Sequence, residues 1–129
     1  MLDPCPHVGS LAFAATCGKS VVADLIGVPD KIARAREIAE LGVACLGIHT
    51  GTDDQALGAN PLADLEAVNS AVSVPIVVAG GINVATLPAI LAFRPEIVIV
   101  GSGILGQTDP LAAATALHRI VSGSPDPRS

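Results

Sequence analysis

One pattern recurs four times along this chain: a short run of β-branched and aliphatic residues, a turn, then a helical period. The runs are Ser20 to Ile26, Val43 to His49, Pro75 to Ala79 and Glu96 to Val100. They return roughly every 20 to 30 residues, the spacing of strand–helix repeats. Ile97-Val98-Ile99-Val100 is apolar on both faces, as a parallel strand covered on both sides must be. Parallel strands joined by right-handed crossovers leave two architectures. One is an open doubly wound sheet; the other is part of a (βα)8 barrel. A full barrel takes about 250 residues, and this chain has 129.

The intervening segments carry helix signals. Asn60-Pro61 and Asp109-Pro110 each set a capping residue before a proline at the first helical position. Pro29 is expected to open the first repeat helix, and Asn83 to cap the third. Ile32, Ala35, Ile38 and Ala39 share one face, as do Leu62, Leu65, Val68 and Val72; Leu111, Ala114 and Val121 are expected to do the same in the last helix. Gly42 follows Leu41 where a helix should stop. Leu11 to Thr16 reads as the tail of a further helix ending at Gly18. The expected division is an irregular arm with a helix remnant over 1–19, a βα domain over 20–121 and a frayed tail over 122–129.

Composition narrows the function. Apolar residues make up 50% and charged residues 15%, which excludes a disordered acidic tail or a basic nucleic-acid-binding arm. Aromatics are 2%, too few to stack bases. The net charge of −5 disfavours polyanionic partners but leaves room for a small phosphate held by backbone N–H groups. No apolar run reaches the roughly 20 residues of a membrane span. Three cysteines without CxxC spacing fit reduced thiols in a cytoplasmic protein, not a disulfide framework or a zinc site. Neither a nucleic acid nor a membrane is an expected partner.

In both architectures ligands bind at the carboxyl ends of the strands. The four ends read Ala23-Asp24-Leu25-Ile26-Gly27, Gly47-Ile48-His49-Thr50-Gly51, Ala79-Gly80-Gly81-Ile82 and Val100-Gly101-Ser102-Gly103. Gly80, Gly81, Gly101 and Ser102 suit a phosphate cradle, because glycine lets successive N–H groups converge on an anion. They equally suit plain tight turns. His49 closes the smaller face of its strand, with Val43, Cys45 and Gly47, and is the best candidate for an acid or base; the alternative is a structural histidine. Asp24 either binds a ligand hydroxyl or satisfies neighbouring N–H groups. Asp53, Asp54 and Gln55 read as a solvated acidic loop. His7, His118 and Arg119 carry no assigned chemistry.

Val22-Ala23-Asp24-Leu25-Ile26, Gly47-Ile48-His49-Thr50-Gly51, Gln55-Ala56-Leu57-Gly58 with Asn60-Pro61-Leu62, Val78-Ala79-Gly80-Gly81-Ile82 and Ile97-Val98-Ile99-Val100-Gly101 resemble the 3-hexulose-6-phosphate synthase family. That family stands beside 3-keto-L-gulonate-6-phosphate decarboxylase in the orotidine 5'-monophosphate decarboxylase suprafamily. The resemblance runs from about Thr16 to Val121 and maps to strands five to eight of the family's TIM barrel. It implies an aldehyde-lyase joining formaldehyde to ribulose 5-phosphate, with magnesium (Mg) stabilising an enediolate. It also implies His49 in proton transfer or in holding the intermediate, Gly81 in the seventh-strand phosphate loop, and Gly101 and Ser102 in the eighth. Thr52 stands where the decarboxylase carries an arginine, which favours the synthase.

The family's Asp-x-Lys-x-x-Asp motif, which carries its metal and catalytic core, does not occur in the sequence; both lysines, Lys19 and Lys31, lie outside any such context. The expectation is therefore a truncated, half-barrel chain, with the magnesium ligands missing and little or no aldolase activity alone. Its free strand edges and bare inner sheet face call for a homodimer or a complementary half-barrel chain. The alternatives are a non-catalytic sugar-phosphate-binding module and a decarboxylase-like carboxy-lyase.

Overall fold

The computed structural model describes residues 7–58 and 60–123. In chain order the elements are α1 (His7–Thr16), β1 (Val22–Asp24), α2 (Lys31–Glu40), β2 (Cys45–His49), α3 (Thr52–Ala56) and α4 (Leu62–Ala71). They continue with β3 (Ile76–Ala79), α5 (Leu87–Leu91), β4 (Ile97–Ile99), α6 (Ser102–Leu105) and α7 (Pro110–Ser122). The strands form one sheet in the order β1-β2-β3-β4, every pair parallel.

That order separates the two architectures the sequence leaves open. A doubly wound sheet reverses its strand order and carries helices on both faces. Here each strand pairs with the next, and the helices share one side. Paired residues in register face the same way. Ala23, Leu46, Ile48, Ile76, Val78 and Val98 therefore form one face, and all join a single apolar cluster with Ala35 and Ile38 of α2, Leu65 and Val68 of α4, Leu87 and Ile90 of α5 and Leu117 of α7. The opposite face carries Val22, Asp24, Cys45, Gly47, His49, Val77, Ala79, Ile97 and Ile99, none of which joins that cluster. This is a partial (βα)8 barrel: four βα units, helices outside, an inner face open to solvent at Val22, Ile97 and Ile99.

Local chemistry moves several expected boundaries. Pro29 does not open α2. Asp30 caps it, its carboxylate accepting from the Ala33 N–H at 3.1 Å. Asp109 caps α7 through Ala112, with Pro110 behind it as expected. Asn60 accepts from the Leu62 N–H, but the N-cap of α4 is Pro61, without a side-chain cap bond, so the expected Asn60 cap with a proline at the first helical position does not form. Asn83 accepts from Ala85 and Thr86, so it caps the turn that leads into α5 and not the helix itself. Helix α1, described over His7–Thr16, contains the expected tail from Leu11 to Thr16 and is followed by Gly18, which takes φ +64°. Residues 1–6 of the expected arm and 124–129 of the expected tail lie outside the described residues.

Two packing expectations are overturned. In α7, Leu111 and Val121 are exposed, and Leu117 is the buried residue. In α2, Ile32 is exposed while Ala35 and Ile38 are buried. Both helices bury a narrower stripe than their apolar residues outline. Val43 precedes β2 and sits in the apolar cluster with Leu46 and Ile48, not on the His49 side.

Candidate functional site

The carboxyl ends of all four strands lie along one rim, set by the register Asp24↔Gly47, His49↔Ala79 and Ala79↔Ile99. Asp24 and His49 are both on the inner face there. The Asp24 carboxylate makes two contacts. Its Oδ1 accepts from the Ile26 N–H at 2.8 Å, and its Oδ2 lies 3.3 Å from His49 Nδ1. The sequence thus left Asp24 between two roles, and the geometry adds a third partner, the imidazole. Both side chains are partly open to solvent, 47% exposed for Asp24 and 38% for His49. An ionised carboxylate only accepts, so the contact is a hydrogen bond when the proton sits on Nδ1; Nε2 then carries the lone pair.

The third and fourth strand ends are built into one another. Gly80 and Gly81 take φ +87° and +68°, the left-handed region that glycine enters freely. A methyl group on Gly80 would run into the Thr50 carbonyl oxygen. A methyl on Gly103 would meet the Ile82 carbonyl oxygen and Val100 Cγ1. Gly101 faces open space, and Ser102 is exposed beside it. The approach of Gly103 to Ile82 brings the loop that holds Gly101 and Ser102 against the loop that follows Gly81, whereas Gly80 is committed to packing against the end of β2.

Two residues to which the sequence assigned no such role brace this rim. Gln55 belongs to helix α3, not to a loop, and its Nε2 donates to the Thr50 carbonyl at 2.7 Å. Thr86 Oγ1 donates to the Gly81 carbonyl at 3.1 Å and accepts from the Asn83 N–H at 3.0 Å. The Asn83-to-Thr86 spacing was the available signal for the second; for Gln55 the acidic neighbours Asp53 and Asp54 suggested only a solvated loop. Outside the inner face, Lys31 Nζ donates to the Val28 carbonyl at 3.1 Å and pairs with Asp64 at 3.4 Å. It lines a cleft of about 280 Å³ that His49, Thr50 and Asp54 also border.

Magnesium asks for several oxygen ligands at one point. Among the described residues no three His, Cys, Asp or Glu side chains converge to hold a metal ion. Asp24, the one acidic side chain of the inner sheet face, already serves Ile26 and His49. The residues described do not fit the ion that the family resemblance implies. No helix among them is long and apolar enough to cross a membrane.

Fold and rim together define a segment of a (βα)8 barrel, with Asp24 and His49 at the strand ends of its inner side. Within that class the chain is homologous to 3-hexulose-6-phosphate synthases. It is 40% identical over 120 residues to the enzyme of that name from Mycobacterium gastri, a match covering 93% of this chain and 58% of the relative. The crystal structure of 3-hexulose-6-phosphate synthase from Salmonella typhimurium superposes with a TM-score of 0.83 at 38% identity, over 88% of this chain and 54% of that one. A thiamine phosphate pyrophosphorylase from Pyrococcus furiosus, 22% identical, shares the fold at a TM-score of 0.70 over 95% of this chain and 57% of its own. No protein-family model matches the chain. The chain spans about half the length of the curated relatives it matches.

Proposed function

We propose that this chain supplies the phosphate-gripping, histidine-bearing half of a 3-hexulose-6-phosphate synthase-type site, corresponding to strands five to eight of the barrel. The substrate class is a sugar phosphate, ribulose 5-phosphate in the synthase reading, with formaldehyde as its aldol partner. Gly81, Gly101 and Ser102 present main-chain N–H groups to the phosphate, with Gly80 setting the turn. His49 moves or holds the proton beside the ketone carbon through Nε2, and Asp24 fixes the tautomer through Nδ1. The observation that carries the reading is the shared rim: the Asp24–His49 pair and the joined glycine turns stand at the strand ends of a chain homologous to these enzymes.

The chain's own residues bind and orient; the acidic and lysine groups of the Asp-x-Lys-x-x-Asp motif are not among them. The reading therefore expects sugar-phosphate affinity with little formaldehyde consumption by this polypeptide alone; a homodimer would cover the inner face without supplying the motif, and activity in the cytoplasm would need a complementary half-barrel chain that carries it. Calorimetry with ribulose 5-phosphate, with and without magnesium, tests it. Binding indifferent to magnesium supports the phosphate-gripping half, and no binding in either condition ends the reading. Robust formaldehyde consumption by the purified chain would show that the missing motif is dispensable.

A further inference from the structure

Gly47 occupies the middle of β2, one of the two central strands, in register with Asp24 on one side and Val77 on the other. A glycine in a strand interior forfeits packing and conformational entropy, so its presence calls for a reason. Conformation is not the reason, since Gly47 is absent from the residues with positive φ. Space is. A methyl group there would stand 3.1 Å from Asp24 Cα and 3.4 Å from both Asp24 Cβ and Cγ. His49 follows two residues later on the same face, so the Asp24 carboxylate reaches Nδ1 along the diagonal that passes over Gly47. Cross-strand diagonals are longer than direct pairs, and a short side chain spans one only where nothing stands between.

We propose that Gly47 is a positioning residue: the side-chain-free slot it leaves on the inner face lets the Asp24 carboxylate lie across β2 and hold His49 as the Nδ1–H tautomer. The inference deepens the reading of Asp24 and His49 given above and rests on it for its functional meaning. Its geometry is independent of any substrate. The Ile26 N–H anchors the other carboxylate oxygen, so a methyl at position 47 does not simply push Asp24 deeper into the same pose. Asp24 has to give by a few tenths of an ångström, and the shift comes at the expense of its contact with Nδ1. Gly51, close to the same strand end, is the natural control: a methyl there meets its nearest atoms, Asp54 Oδ2 and Ile26 Cδ1, at 3.8 and 3.9 Å, ordinary contact distances.

The test is nitrogen NMR of the His49 imidazole in the full chain, read at a pH where the ring is neutral and assigned by His49→Gln. The wild type is expected to favour Nδ1–H. Gly47→Ala and Asp24→Ala should each give a several-fold fall in the ratio of Nδ1–H to Nε2–H, and Gly51→Ala should leave it unchanged. A folded Gly47→Ala protein with the wild-type ratio overturns the proposal, as does a wild type without the Nδ1–H preference. If Gly47→Ala does not fold, the double variant Gly47→Ala/Asp24→Ala decides. Recovery of the fold places the clash at the carboxylate and supports the slot; continued failure places it at the strand backbone and overturns it. Absence of ribulose 5-phosphate binding by the wild type would defeat the functional reading and leave this tautomer result standing.

Discussion

The Cα of Gly103 faces the carbonyl oxygen of Ile82 so closely that no side chain fits between them. This contact fastens the loop after β4 to the loop after β3, and the phosphate reading needs both loops in one place. Gly103→Ala is therefore expected to destabilise the chain by about 1–3 kcal/mol, the range for overpacking a tight site, and to weaken ribulose 5-phosphate binding. Gly101→Ala, whose methyl points into open space, should cost less than about 1 kcal/mol. Urea midpoints at constant slope check the pair, with calorimetry for affinity. Equal costs would mean that the Gly103 contact relaxes freely.

Gly80 and Gly81 carry different roles in the proposed site, and substitution separates them. Gly80→Ala meets two obstacles, a left-handed backbone and the Thr50 carbonyl. It should lower stability by about 2–4 kcal/mol, combining roughly 1–2 kcal/mol of left-handed strain with an overpacking cost. Gly81→Val places a branched side chain beside the loop that is read as the phosphate grip. It should abolish measurable ribulose 5-phosphate binding. Retained affinity in a folded Gly81→Val protein would remove that loop from the site.

The four βα units, the rim and its residues are legible in the sequence because each rests on a local signal. Strand runs show in β-branched residues, turns in glycine, and the start of α7 in Asp109-Pro110, whereas Asn60-Pro61 announces α4 one residue early. What the sequence hides is what depends on partners far along the chain. Leu111 and Val121 carry the same apolar signal as Leu117, and only the position of the sheet decides which is buried. Gln55 looks like part of an acidic loop until Thr50 supplies its acceptor. The Asp24–His49 contact spans a register that neither strand encodes alone.

Helix α2 starts from a side chain, not from a proline. The Asp30 carboxylate satisfies the Ala33 N–H, one of the donors a helix leaves free at its first turn. Asp30→Ala should cost about 1 kcal/mol, as loss of a capping acceptor typically does. Asp109→Ala should cost a similar amount at α7, where Ala112 loses its acceptor. Pro29→Ala should change stability by less than about 0.5 kcal/mol. Thermal or urea unfolding of the three variants ranks them. A larger loss at Pro29 than at Asp30 would restore the proline to the role the sequence first suggests.

The inner sheet face decides how the chain behaves in solution. Ile97 and Ile99 are about half exposed on β4, and Val22 is likewise exposed on β1, the two strands whose outer edges lack a neighbour in the sheet among the described residues. Free edges with apolar side chains invite another sheet to pair with them. The chain is therefore expected to self-associate as its concentration rises. Ile97→Thr/Ile99→Thr keeps β-branched residues in β4 but makes that face polar. Neither isoleucine belongs to the apolar cluster, so the change should cost less than about 1 kcal/mol. Leu46→Ala, on the buried face, should cost about 2–5 kcal/mol. Sedimentation velocity across a concentration series reads the outcome: the double threonine variant should shift to smaller species, while Leu46→Ala should lose stability without any gain in the monomer fraction. An unchanged distribution in a folded threonine variant would mean that association, if present, uses another surface.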